Sequence, residues 1–262
     1  GSITVKQASL MPSIQKFLAI ETSTSPGSVA AGTLPSRCDI ENRPWQVDNL
    51  AMQEFHLAET GSQGRHLMPV IAAAVESAGW SLDKTDLVIV ATGPGPFTGL
   101  RVGITTAKAI AWTNNCTLVG VSTVSCLATQ AIAECGPADR VEVVFDAGRG
   151  ELYVATATQP IDGLIWQVSK GTLQKPAEWH RTLMRGTIVT GPGLTLQHDV
   201  LQELQSTNPG SVIVPPATAW RPNSQTLACI GLAKAEQRLT TKPAALKPTY
   251  LRASYAEDRS DA

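Results

Sequence analysis

Short apolar runs broken by Gly, Pro and hydroxyl residues alternate with longer stretches of helical spacing along the first half of the chain. The run "KFLAI" at 16–20, the polar turn "ETSTSPGS" and the run "VAAGTL" predict a β-hairpin. Residues 35–65 are polar and aperiodic, with Pro35 and Pro44, so a long loop is expected across 34–63. From Arg65 onward, Leu67, Val70, Ile71, Ala74, Val75 and Ala78 fall at steps of three and four, which predicts an amphipathic helix over 65–78, ended by Gly79. Pro69 lies in its first turn, where a missing N–H costs little. "DLVIVA" and "TLVGVS" are continuous apolar runs of strand length, as expected of strands buried on both faces. Strands alternating with helices imply right-handed crossovers and a mostly parallel sheet beside the hairpin. The second half opens again on two β-rich runs around a tight glycine turn, "RVEVVFDAGRGELYVATAT". The pattern therefore predicts a duplicated α/β fold of two lobes, each a mixed sheet that opens with a hairpin.

A length of 262 residues accommodates two modest lobes. With 21 basic against 22 acidic side chains, the chain carries no broad field to draw in a nucleic-acid backbone, so any RNA contact is local or supplied by a partner. The five cysteines, Cys38, Cys116, Cys126, Cys135 and Cys229, form no CxxC pair, which fits reduced thiols and a cytoplasmic location. No apolar run has the length of a membrane span. Gly1-Ser2 reads as a tag remnant and residues 1–15 as a disordered N-terminus. A first lobe over 16–121, a second over 122–240 and a C-terminal segment over 241–262 complete the expected division.

"GPGPFTG" at 93–99 follows a strand and opens a helix over 98–114, the position where free N–H groups and the helix dipole favour an anion. No Lys-Ser or Lys-Thr follows it, the Gly93, Gly95, Gly99 spacing has one residue too many for a dinucleotide fingerprint, and Pro94 and Pro96 remove two N–H donors. The helix instead repeats small residues every four positions, at Gly95, Gly99, Gly103, Ala107 and Ala111. Such a ridge admits another backbone at close range, either within the protein or across an interface. Arg101 and Lys108 interrupt the apolar surface, as partners of an opposing charge or as solvated side chains.

Hydrolase signatures are missing: no G-x-S-x-G, no HExxH, and no i, i+4 pairing among His56, His66, His180 and His198. Glu21 and Asp146 each sit where a strand enters a hairpin turn, beside Thr22, Ser23 and Thr24 in the first turn and Arg149 and Glu151 in the second. These groups either bracket a nucleotide and its magnesium across a cleft or simply cap their own turns.

Taken together, "FLAIETSTSPGSVA", "GPGPFTGLRVGITTAKAIAW", "LVGVSTVSCLA", "FDAGRGELYVA" and "KPTYLR" resemble the TsaB (YeaZ) family, in the family's order from about residue 17 to 252. The resemblance implies the two-lobed actin-like fold shared with Hsp70 and sugar kinases, built on ribonuclease H-like lobes. It also implies a non-catalytic subunit that binds TsaD and, with the ATPase TsaE and a TsaC-type synthase, supports threonylcarbamoyl transfer to adenosine 37 of tRNA. The tRNA would be met only through the complex, and in isolation the resemblance allows either a homodimer or a monomer. Two histidines that hold the metal in TsaD map onto Thr123 and Leu127, neither of which ligates as histidine does. Pro96 and Gly148 depart from the family's usual Ser and bulkier residue. Partner contacts are expected at Leu67, Ile71, Val75, Gly99, Arg101, Gly103, Ala107 and Ala111, with Gly103→Leu leaving the monomer folded and blocking TsaD. A weak ATP or ADP site with magnesium is expected at Glu21, Thr22, Ser23, Thr24, Asp146, Arg149 and Glu151 or at the partner interface. A stand-alone ATP-dependent kinase or hydrolase of the same fold is the alternative, and a peptidase lacks a catalytic set.

Overall fold

The computed structural model describes residues 14–34, 50–58, 63–158, 164–207, 210 and 212–252. The first sheet begins with the hairpin β1 (Lys16–Glu21) and β2 (Ser28–Thr33), continues with β3 (Ala51–His56), and gains β4 (Leu87–Ala91) and β5 (Thr117–Val121) by way of the helices α1 (Gln63–Ser77) and α2 (Phe97–Thr113). Its order is β3-β2-β1-β4-β5, antiparallel on the hairpin side and parallel from β1 to β5. In β1, Leu18 and Ile20 face α1 and α2, while Phe17 and Ala19 face the opposite layer. That two-sided burial is why the strand reads as a continuous apolar run rather than an alternating one.

After α3 (Thr123–Cys135) the second sheet repeats the plan with β6 (Arg140–Asp146), β7 (Leu152–Thr158), β8 (Gln167–Val168), β9 (Thr172–Gln174), α4 (Pro176–Thr182), β10 (Thr187–Thr190), α5 (His198–Thr207) and β11 (Val212–Ile213). Its order is β11-β10-β6-β7-β8, with β9 also on β7, which is the first sheet's order strand for strand. A second Gly-Pro-Gly, Gly191-Pro192-Gly193, follows β10 just as Gly93-Pro94-Gly95 follows β4. In both lobes this turn lies against the first hairpin strand or its turn, with Gly95 against Ser23 and Gly191 and Gly193 against Val144 and Phe145. The protein is thus a two-lobed α/β molecule of the actin-like, ribonuclease H-like class, built from one duplicated unit.

Three expectations change. The stretch 34–63 contains β3, whose "AMQEFH" lacks a clean two-residue alternation because it is a half-exposed edge strand. Residues 35–49 and 59–62 lie outside the described residues. Residues 1–13 also lie outside them, but Ile14 packs on the first-lobe core and the backbone N–H groups of Gln15 and Lys16 donate to Asp86 Oδ2 at 3.0 and 2.9 Å. Finally, the last helix, α6 (Ser224–Glu236), packs on the first sheet although its sequence position falls within 122–240. It is apolar on most of its circumference because it lies between that sheet and α3. Its N-terminus is fastened to the first lobe by Ser224, whose N–H donates to Ser28 Oγ at 2.9 Å and Glu54 Oε1 at 2.8 Å.

Candidate functional site

The small-residue ridge of α2 faces inward. The Thr22 hydroxyl donates to the Gly99 carbonyl at 2.8 Å, and a Cβ on Gly103 would overlap that same hydroxyl. A Cβ on Gly95 would overlap the Ser23 carbonyl, and one on Gly93, where φ is +99°, would overlap the Thr249 carbonyl. The glycine turn therefore takes the first hairpin on one side and the C-terminal segment on the other, with backbone where a phosphate loop would leave donors open. Gly99, Gly103, Ala107 and Ala111 are buried, as are Leu67, Ile71 and Val75 on α1. Of the eight expected partner contacts only Arg101 is exposed; the other seven hold the helices to their own lobe. The correction has a physical reason: the Gly99–Gly103 stretch of α2 lies directly against the Thr22 side chain, and a side chain at Gly103 would lift the helix off.

Outward, the same two helices leave an apolar face. On α2 the exposed positions Phe97, Arg101, Thr105, Ala109 and Trp112 recur at steps of four and three, opposite the glycine ridge. Trp112 is 80% exposed, Phe97 42% and Met68 of α1 45%, with Ala72 and Ala73 exposed beside Met68. The two helices pack on each other within one lobe. Sequence reasoning missed this face because both sides of α2 carry Ala, Thr and Gly. The available signal was Trp112, a large aromatic on the opposite side of the helix from the small ridge.

The hairpin groups are differently placed. Glu21, Thr22, Ser23 and Thr24 are buried. Glu21 Oε1 accepts from the Ser23 N–H at 2.6 Å and from the Ser23 hydroxyl, and Oε2 accepts from Thr24 Oγ1 at 3.3 Å. Burial pushes the Glu21 carboxyl up from 4.5 to about 7, against the opposing pull of those hydrogen bonds. In the second hairpin, Asp146 Oδ1 accepts from the Gly148 N–H at 2.8 Å, Arg149 sits exposed with φ +58°, and Glu151 pairs with Arg252 at 2.5 Å. Each carboxylate is thus engaged by its own turn or by the C-terminal segment. The buried first-hairpin groups do not fit a magnesium nucleotide in this arrangement, because the oxygens of Glu21 are occupied and sealed from solvent. Thr123 and Leu127 are buried in the first two turns of α3, and no group of three or more His, Cys, Asp or Glu among the described residues is placed to hold a metal ion.

Comparison with known proteins decides the family. The family model for TsaD, tRNA N6-adenosine threonylcarbamoyltransferase, matches residues 62–259. The Escherichia coli tRNA threonylcarbamoyladenosine biosynthesis protein TsaB is 28% identical over 245 residues, 92% of this chain and 96% of that one. The Bacillus subtilis TsaB is 26% identical over 193 residues, covering 72% and 80% respectively. The chain belongs to the TsaB/YeaZ family. The fold agrees: the solved YeaZ from Pseudomonas aeruginosa superposes with a TM-score of 0.66 at 21% identity, covering 90% of this chain and 99% of that one. Among the described residues of this TsaB/YeaZ protein, no helix is long and apolar enough to cross a membrane.

Two substitutions separate these roles. On an exposed helix face Gly→Ala stabilises by about 1 kcal/mol. Gly103→Ala is expected instead to destabilise by about 1–3 kcal/mol in urea unfolding, because its methyl meets Thr22. Glu21→Gln tests the buried carboxyl. The native pKa lies above the ordinary value, so protonated Glu21 contributes stability that is complete below pH 4.5 and is lost as pH rises through about 7. The variant should therefore show a flatter melting profile than wild type from pH 5 to 8 and melt higher at pH 8.

Proposed function

We propose that this chain is a docking subunit for threonylcarbamoyladenosine synthesis on tRNA, acting through the outward face of α1 and α2 on a TsaD-type transferase. One observation carries the reading: Trp112, Phe97 and Ala109 on α2 and Met68, Ala72 and Ala73 on α1 are exposed on two helices that pack together, on a lobe whose inner ridge is already committed to its own hairpin. Small residues let partner helices approach closely, and a large exposed aromatic is the commonest kind of anchor in such contacts. The names of the E. coli and B. subtilis relatives support the pathway, and the TsaD family model supports a partner of the same build.

In this reading the chain performs no chemistry of its own; TsaD carries out the transfer, TsaE supplies ATPase function, and a TsaC-type synthase provides threonylcarbamoyl-AMP. tRNA is met through the assembly, consistent with a formal net charge of -1. Self-association in isolation would use the same face. For a magnesium nucleotide the chain offers the exposed Asp146 and Arg149, with Glu21, Thr22, Ser23 and Thr24 withdrawn into the first lobe. A stand-alone ATP-dependent enzyme would need those buried groups at the surface of a cleft. The proposed location is cytoplasmic.

Trp112→Ala tests the docking face without touching the core. Calorimetric titration against the transferase from the same organism should show affinity reduced roughly 30-fold, the effect of losing an anchor of about 2 kcal/mol. The melting temperature should not change, since the side chain is 80% exposed. Unaltered affinity would place the partner elsewhere.

A further inference from the structure

The motif "KPTYLR" is not accounted for by docking or by the hairpins, yet its residues touch both lobes. Leu246, just before it, is buried in the first-lobe core. The Thr249 N–H donates to the Thr92 carbonyl at 2.7 Å, Tyr250 forms a parallel bridge with Gly95, and the Thr249 carbonyl fills the space beside Gly93. Tyr250 then lies against Phe97 with ring centroids 4.8 Å apart, and its hydroxyl accepts from Arg101 Nε at 3.2 Å. The Arg101 guanidinium sits 3.9 Å from the Phe97 centroid, so the three side chains form one cluster at the start of α2. Two residues later Arg252 donates to the carbonyls of Ala147 at 2.8 Å and Gly148 at 3.2 Å and pairs with Glu151 at 2.5 Å, while Leu251 packs on the second-lobe core.

We propose that residues 247–252 form a clasp that ties the docking face to the turn of the second-lobe hairpin, so that a partner seated on Phe97 and Arg101 stiffens that turn. The chemistry follows from the cluster. Covering Phe97 and Arg101 removes water from a cation–π contact and a hydrogen bond, both of which strengthen when desolvated. Tyr250 is thereby held more firmly, and Arg252, two residues along the same short segment, loses freedom to leave the turn. This transmission rests on the docking reading above; the clasp itself does not.

Hydrogen–deuterium exchange at Ala147 and Glu151 reports the turn, because their amides bond to Glu151 O at 3.0 Å and Gly148 O at 3.1 Å and Arg252 grips the same backbone. In the free protein, Arg252→Ala is expected to speed exchange at these two amides severalfold while β4 and β10 keep their protection. Adding the TsaD-type transferase should slow exchange there in wild type and leave the variant unaffected. If Arg252→Ala loosens the whole second lobe, Arg252→Lys serves in its place, since it keeps the charge but not the fork that reaches both carbonyls. Unchanged exchange in the free variant overturns the clasp, and equal slowing in wild type and variant overturns the transmission. Failure of wild type to bind the transferase removes the docking reading and the transmission with it, and the free-protein comparison then decides the clasp alone.

Discussion

The Thr22 side chain meets the bare backbone of α2, and the turn just before that helix meets the backbone of Ser23; the remaining geometry depends on that approach. Gly95 lies against the Ser23 carbonyl and Gly103 against the Thr22 hydroxyl, so the helix is fixed in depth and in rotation about its own axis. Once that rotation is set, Phe97, Arg101, Thr105, Ala109 and Trp112 must point away from the lobe. The same turn leaves room beside Gly93 for Thr249, which brings the C-terminal segment to the start of α2 and on to the second hairpin. One close contact thus positions the inner core, the outer face and the strap between the lobes.

The second lobe repeats the device with less of the consequence. Gly191 and Gly193 lie against Val144 and Phe145, but Pro192–Leu196 is a 3-10 turn and the helix that follows, His198–Thr207, is short. The paired outward helices therefore belong to the first lobe, and the duplicated architecture becomes asymmetric at the point where a partner would use it. The Ser224–Glu236 helix adds to this asymmetry by crossing back to the first sheet. Its burial on most sides removes the amphipathic signal that would otherwise mark which lobe it serves.

Much of the fold was legible because local pattern and tertiary role coincide: both hairpins, the parallel strands and the two first-lobe helices follow from apolar runs and three-four spacing. The strand Ala51–His56 was not legible, since an edge strand with one half-buried face carries Gln and Glu where a central strand carries Val and Ile. The glycine ridge was visible in sequence as a site of close approach, but its direction was not. Periodicity shows that one side of a helix is small; it does not show whether the neighbour is the chain's own hairpin or another molecule. Arg252 ends the KPTYLR motif, yet its hold on Ala147, Gly148 and Glu151 spans about a hundred residues and has no local signature. Glu21 stands at the hairpin turn that its sequence position predicts, but its complete burial has no local signature.

The proposed docking role puts function on the outer helical face and not in the hairpin carboxylates. The most direct measurement is a reconstitution with transferase, TsaE, unmodified tRNA and threonylcarbamoyl-AMP, reading modified adenosine by mass spectrometry in the presence of this chain or its Glu21→Gln/Asp146→Asn double variant. Modification should require the chain and proceed equally with the double variant. Modification that proceeds without the chain, or that is lost with the double variant while the variant still folds and binds the transferase, would contradict that role.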